Sequence, residues 1–193
     1  MPIFTILVQA EEITQLVEDM KGKEIDNALV RARNELHREA LRLLHRPIRT
    51  WTTPVEFKSI LLDGDGLYGF RIDTDSAIYT WVDKGTGLHG PRMAKYPIPK
   101  PSNLTAKTLR FQTGYKAKTK VGSLTSRQGG SYGPYTYRKS VMHPGIEGRE
   151  FTDQVGNRIF EISEETLLWA IVDWWYSGHP GQTLPPSGST PGG

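Results

Sequence analysis

The residues able to do chemistry are dispersed along this chain, and their spacing decides what they can be. Five histidines stand at positions 37, 45, 89, 143 and 179, without the short intervals that aim two imidazoles at one metal ion. His143, followed by Pro144 and Gly145, reads as a turn histidine held by a structural hydrogen bond in preference to a general base. Asp63, Asp65, Asp73 and Asp75 form two Asp-x-Asp pairs that could hold a divalent cation. They bracket a predicted hairpin, however, and the glycines beside the first pair account for it as turn chemistry. Gly85, Thr86 and Gly87, followed by Gly90, have the composition of a phosphate cradle but open onto prolines, not onto a helix N-terminus. The chain has no cysteine, which removes thiol nucleophiles, disulfides and cysteine metal sites and fits a reducing cytoplasm. No coherent set of reacting groups emerges. The expectation is therefore a protein that is not an enzyme and carries no cofactor and no metal.

Charge is the stronger signal. Residues 84–146 hold twelve of the chain's twenty-four Lys and Arg and none of its twenty-one carboxylates. The overall +3 is thus +12 in this segment and −9 in the remainder. A segment so uniformly basic is balanced by an acidic neighbour, a partner subunit or nucleic acid. Within it Lys116, Lys118 and Lys120 alternate, which on a strand places all three on one face, toward solvent or an anion.

The elements that must position these groups follow from periodicity. Residues 2–8 read as a short strand and 11–20 as a helix interrupted by Gly22. Ile25, Leu29, Ala32, Leu36, Ala40 and Leu43 recur at helical steps with Arg31, Glu35, Arg38 and Arg42 outward, and His45, Arg46 and Pro47 end that helix. A hairpin is predicted from 55–62 through the turn 63–66 to 67–73, with Tyr68, Phe70 and Ile72 on one face. Residues 78–82 continue as a strand or short helical turn. The prolines at 91, 97, 99 and 101 make an extended loop. Two short strands flank Gly114, 123–137 reads as a mobile loop, and a last helix runs from Gly148 with a possible kink where Ser163 could cap a restart. Trp169, Trp174 and Trp175 lie on that helix; three tryptophans cannot easily all face inward, so a buried subunit contact is expected. The whole reads as one α+β domain over 1–177, a long N-terminal amphipathic helix and a C-terminal helix packed on a small, mainly antiparallel sheet, with a basic loop-rich insert at about 87–142. Residues 178–193, rich in Pro and Gly, read as a tail. The opening ten residues are apolar but run directly into Glu11 and Glu12, so neither a signal peptide nor a membrane span is expected.

Three features in this order resemble a known pattern: the long amphipathic helix leading into a hairpin; then Tyr79, Thr80, Trp81, Val82, Asp83, Lys84, Gly85 and Thr86; then His143, Pro144 and Gly145 shortly before Phe151 opens the last helix. The chain resembles the tail-completion, or minor tail, family of long-tailed bacteriophages over most of residues 25–175. Members share an aromatic-rich strand ending in an acidic residue followed by Gly-Thr, and a His-Pro-Gly-like turn before a C-terminal helix. The long insert and the proline-rich tail depart from the simpler members. The resemblance implies a non-catalytic virion subunit, made in the host bacterial cytoplasm, forming a ring, expected to be a hexamer, at the head-tail junction or upper tail. Its partners would be copies of itself and neighbouring neck or tail proteins, with non-specific contact to DNA in the lumen and no membrane. Asp83, Gly85, Thr86, His143, Pro144 and Gly145 would be structural turns, and Lys116, Lys118, Lys120, Trp169, Trp174 and Trp175 the interface. The alternative is a nucleic-acid-binding module built from the Lys, Arg and Tyr residues of 107–139, which could pair with phosphates and stack on bases.

Overall fold

The computed structural model describes residues 4–6, 23–64, 67–90, 92–98, 108–126 and 129–178. The fold is mixed α+β. Strand β1 (Phe4–Ile6) precedes helix α1 (Lys23–Ile48), and the hairpin β2 (Lys58–Gly64) and β3 (Leu67–Asp73) follows. The short helix α2 (Ala77–Lys84) comes next, and the chain closes, after a series of short strands, with helix α3 (Phe151–Gly178). The expected helix at 11–20 and the tail beyond 178 lie outside the described residues, as do Asp65 and Gly66 of the hairpin turn.

The first sheet has the order β1-β3-β2, antiparallel throughout, with Phe4 opposite Ile72 and Lys58 opposite Asp73. Alternation along β3 puts Phe70 and Ile72 fully inside, while Arg71 turns out to pair with Asp73 at 2.9 Å. Helices α1 and α3 cover the inner face. Leu36, Ala40, Leu43 and Leu44 meet Phe70, Ile72, Tyr79 and the α3 residues Phe151, Val155 and Ile159, which recur every four positions on one stripe. A second cluster joins Leu29 and Ala32 to Leu167. The early part of α1 therefore faces the late part of α3, so the two helices run antiparallel.

Several expectations change. Helix α1 continues to Ile48 and takes Pro47 into its last turn, because Pro47 and Ile48 are buried against the core. Strand β2 begins at Lys58, and Val55 is buried ahead of it in irregular chain. Of the two readings left open for residues 78–82, strand or short helical turn, the helical one holds. Ser76 accepts from the Tyr79 N–H at 3.2 Å as N-cap, and Tyr79 and Asp83, one turn apart, go inside while Ile78 and Trp81 stay exposed. Helix α3 is unbroken through Ser163, whose hydroxyl donates back to the Phe160 carbonyl at 2.8 Å instead of capping a restart.

The basic insert is not a loose loop either. Strand β4 (Tyr96–Pro97) pairs with β9 (Met142–His143), β5 (Leu109–Gln112) with β8 (Tyr135–Arg138), and β6 (Tyr115–Lys116) with β7 (Gly130–Ser131), all antiparallel. A single bridge joins Thr119 to Ser126. The β5–β8 and β6–β7 pairs and this bridge follow one another along one two-stranded ribbon. Between Gln112↔Tyr135 and Tyr115↔Ser131 two residues, 113–114, face three, 132–134, and Gly114, at φ +71°, takes the position where any side chain would strike the Tyr132 carbonyl. The ribbon has no buried face along β8, which is why its glycine, serine and tyrosine composition shows no core pattern in the sequence.

Candidate functional site

The six signature residues, split sixty positions apart, meet in one latch. Its centre is Asp83, at the C-terminal end of α2 and fully buried. Helix α3 has no capping residue of its own: Glu150, immediately before it, sits at φ +55°. Asp83 supplies the cap from another element. Its carboxylate accepts the Thr152 N–H at 3.0 Å and the Thr152 hydroxyl at 2.7 Å, and its carbonyl accepts the N–H groups of Arg149 and Glu150 at 3.0 and 2.9 Å. A carboxylate at a helix N-terminus also meets the positive end of the helix dipole. The Tyr79 hydroxyl lies 3.5 Å from the Thr152 hydroxyl, and burial pushes that phenol well above its ordinary range. Lys84 closes the outside, with Nζ at 3.1 Å from Asp153 and 3.7 Å from Asp83. Burial alone would lower the Lys84 ammonium, but the Asp153 hydrogen bond and the Asp83 charge outweigh it and raise it.

Gly85, Thr86 and Gly87 then run against Pro144, Gly145 and Ile146 backbone to backbone. Thr86 donates its N–H to the Ile146 carbonyl at 2.8 Å and accepts the Ile146 N–H on its hydroxyl at 3.1 Å, and the Leu88 N–H reaches the Pro144 carbonyl at 2.7 Å. Gly145, at φ +105°, lies so close to the Thr86 carbonyl that no Cβ fits between them, and a Cβ on Gly85 would come within 2.6 Å of the His89 carbonyl. His143 Nδ1 accepts the Gly145 N–H at 2.9 Å, and its ring lies 5.4 Å from Tyr96. It is a turn histidine. Gly85 and Thr86 thus end a helix, not the strand that the sequence pattern suggested. No phosphate-sized cradle remains, because the backbone of 144–148 fills the space.

The ribbon rises from this latch and comes back to the body. Lys118 donates to the Thr50 carbonyl at 3.0 Å, Thr119 is buried, and Leu124 packs on the main core. Between these anchors Tyr132, Tyr135 and Tyr137 are more than half exposed. Arg110 lies 3.8 Å over the Tyr135 ring and Lys116 5.9 Å from that of Tyr132. The three alternating lysines therefore do not act alike: Lys116 and Lys120 are exposed, whereas Lys118 is turned inward to the Thr50 carbonyl.

The tryptophans separate as well. Trp169 is 63% exposed, whereas Trp174 and Trp175 are half-buried, with Trp174 packed on the second cluster and its ring 6.2 Å from that of Trp175. Much of the cover expected from a partner is supplied to Trp174 by its own chain. Phe160 and Leu168 are exposed on the same helix. Trp169 stands at the mouth of a groove of about 460 Å³ between α1 and α3, floored by Ala28, Ala32 and Ala170 and edged by Glu35, Glu165 and Asp173.

Of the Asp-x-Asp pairs, Asp73 is held by Arg71 and Asp75 by Lys58. No group of three metal-ligating side chains and no helix long and apolar enough to cross a membrane is found among the described residues. Sequence reasoning missed Thr152, and named Tyr79 only as part of the 79–86 pattern. The available signal was the lack of a Ser, Thr, Asp or Asn just before Phe151, which leaves the helix in need of a cap from elsewhere. Comparison with protein-family models, with characterised proteins and with solved structures finds no match to this chain.

Proposed function

We propose that this chain is a structural subunit of a tailed-bacteriophage virion, a tail-completion or neck protein that assembles as a ring around the DNA channel at the head-tail junction and performs no catalysis. The reading rests on the resemblance over residues 79–86 and 143–151, and one observation carries it. Both signature segments are used up in holding a helix, a turn and the base of an exposed ribbon together, with Asp83 and Thr86 satisfied by protein groups. Such a unit presents surfaces to other proteins. Opposite charges on two different surfaces suit the head-to-tail contacts from which rings are built.

Purified protein examined by light scattering and negative-stain imaging should give closed annuli with a central opening, alone or with the neighbouring neck proteins. A second reading, the nucleic-acid module, is favoured by the exposed tyrosines of the ribbon. Against it, Arg110 already covers one face of Tyr135. DNA binding should accordingly be weak, about 10⁻⁴ to 10⁻⁶ M at physiological salt. A monomer that binds duplex DNA at nanomolar concentration and never forms annuli would reverse the assignment.

A further inference from the structure

The ribbon and the acidic groove lie at opposite ends of the helix pair. The latch holds α3 at Thr152, and the groove opens around Trp169; those seventeen intervening steps at about 1.5 Å each place the groove about 25 Å along the axis. No described ribbon residue lines it. Among the described residues its edge carries Glu35, Glu165 and Asp173 against Arg31, and Arg31 is engaged by Asp173 at 3.6 Å. The floor is alanine, with an exposed indole at the mouth. Such a site accepts cationic and aromatic side chains together: carboxylates for the cation, a flat shallow floor and a tryptophan edge for a ring. The ribbon offers that combination, since residues 109–143 contain seven Lys and Arg and no carboxylate, and its tyrosines project beside its cations.

We propose that the α1–α3 groove is the docking site for the basic ribbon of a second copy of this chain, with Lys116 and Arg138 facing Glu165 and Asp173 and a ribbon tyrosine stacked against Trp169. The contact rests on the ring reading above and gives it a geometry. Because the two surfaces differ and sit at opposite ends of the subunit, each copy uses one surface toward each neighbour, so association is head-to-tail and closes if the rotation permits. A single copy cannot satisfy the groove with its own ribbon, whose far end is anchored at Thr50.

The test is a charge exchange read by light scattering across a concentration series. Lys116→Glu with Arg138→Glu should weaken self-association at least tenfold, and Glu165→Lys with Asp173→Lys should do the same. All four changes in one chain should restore it to within about threefold. Association of the unaltered chain should also fall as salt rises, because exposed charge pairs are screened. A photo-crosslinking amino acid at position 169 should capture residues 109–143 of another copy, identified by mass spectrometry of mixed heavy- and light-labelled chains. If annuli persist in both paired reversals, this contact is wrong and the ring stands. Restored association that yields only open chains would keep the contact and remove the ring. A chain that is monomeric throughout, both alone and with the neighbouring neck proteins, overturns both. Loss in both paired variants without restoration in the fourfold variant overturns the pairing, as does a crosslink confined to residues 1–22 or 179–193 of the same copy. Ribbon reversal that removes DNA binding while leaving the oligomer intact assigns the ribbon to nucleic acid and overturns the proposal.

Discussion

Replacing Asp83 by Ala tests whether the latch is held by the cross-element cap. Two donors converge on this carboxylate, the N–H and the hydroxyl of Thr152, and Thr152 is itself 4% exposed. Water cannot replace the lost acceptor without opening the site. A buried donor left unpaired costs about 1–3 kcal/mol, and loss of a negative charge at a helix N-terminus adds about 0.3–1 kcal/mol. With two donors affected, the sum for Asp83→Ala is roughly 2–7 kcal/mol. For a domain of this length each kcal/mol moves the melting midpoint by about 2–4 °C, so a fall of roughly 10 °C is expected. Thr152→Val removes the hydroxyl alone and should cost about 1–2 kcal/mol. Urea unfolding followed by circular dichroism on the two single variants and the double variant gives the coupling between them, expected at about 1 kcal/mol or more. If Asp83→Ala lies within about 1 kcal/mol of the parent, or the two changes simply add, the cap does not hold the helix and the latch must rest on its backbone contacts.

Gly145→Ala should be far more damaging than Gly122→Ala, although both glycines have positive φ. The first would drive a methyl group into the Thr86 carbonyl, whereas the second opens onto free space and should lose only about 1–2 kcal/mol; equal midpoints for the two would contradict the close approach. Thr86→Val leaves the Ile146 N–H without its 3.1 Å acceptor and should cost about 1–2 kcal/mol in chemical denaturation. An unchanged urea midpoint would show that water reaches that group. His37 lies 5.3 Å from the Phe70 ring, and burial, then the Arg33 charge, lowers its affinity for a proton. The unfolded chain, titrating near its ordinary value of about 6.5, takes up that proton first. Stability from this residue is therefore complete above about pH 6.5 and declines as pH falls toward the lower folded-state value. His37→Gln should show a smaller loss of urea midpoint between about pH 7.5 and about pH 5.5 than the parent; identical losses would exclude His37 as the source.

The body was legible where side chains bury with a period. Leu29 through Leu43 announce α1, Phe70 and Ile72 announce the inner face of β3, and Phe151, Val155 and Ile159 announce α3. Residues 78–82 stayed open between strand and helical turn because Ile, Tyr, Thr, Trp and Val favour strands, while the deciding features were a serine cap at Ser76 and an inward pair, Tyr79 and Asp83, spaced for a helix. In the ribbon, tyrosines and glycines satisfy backbone pairing without burying a face, so no alternation betrays them. The latch was half legible. Its glycines mark the places where two backbones touch, but a backbone contact leaves no side-chain pattern to reveal its partner. The acid that caps a distant helix looks in sequence like any other aspartate.

Because Thr86 and Ile146 are tied by two hydrogen bonds, everything between them forms a closed loop whose ends are fixed by the body. The entropy of closing such a loop depends only on the logarithm of its length, about 0.6 kcal/mol for each doubling. The ribbon can therefore be shortened, lengthened or rewritten between its anchor points at almost no thermodynamic penalty to the helices and sheet beneath it. The fold beneath the ribbon is insensitive to such changes, whereas one added methyl group at Gly145 has no room beside the Thr86 carbonyl. The body and the clasp make a fixed socket, and the ribbon is an exchangeable fitting mounted on it.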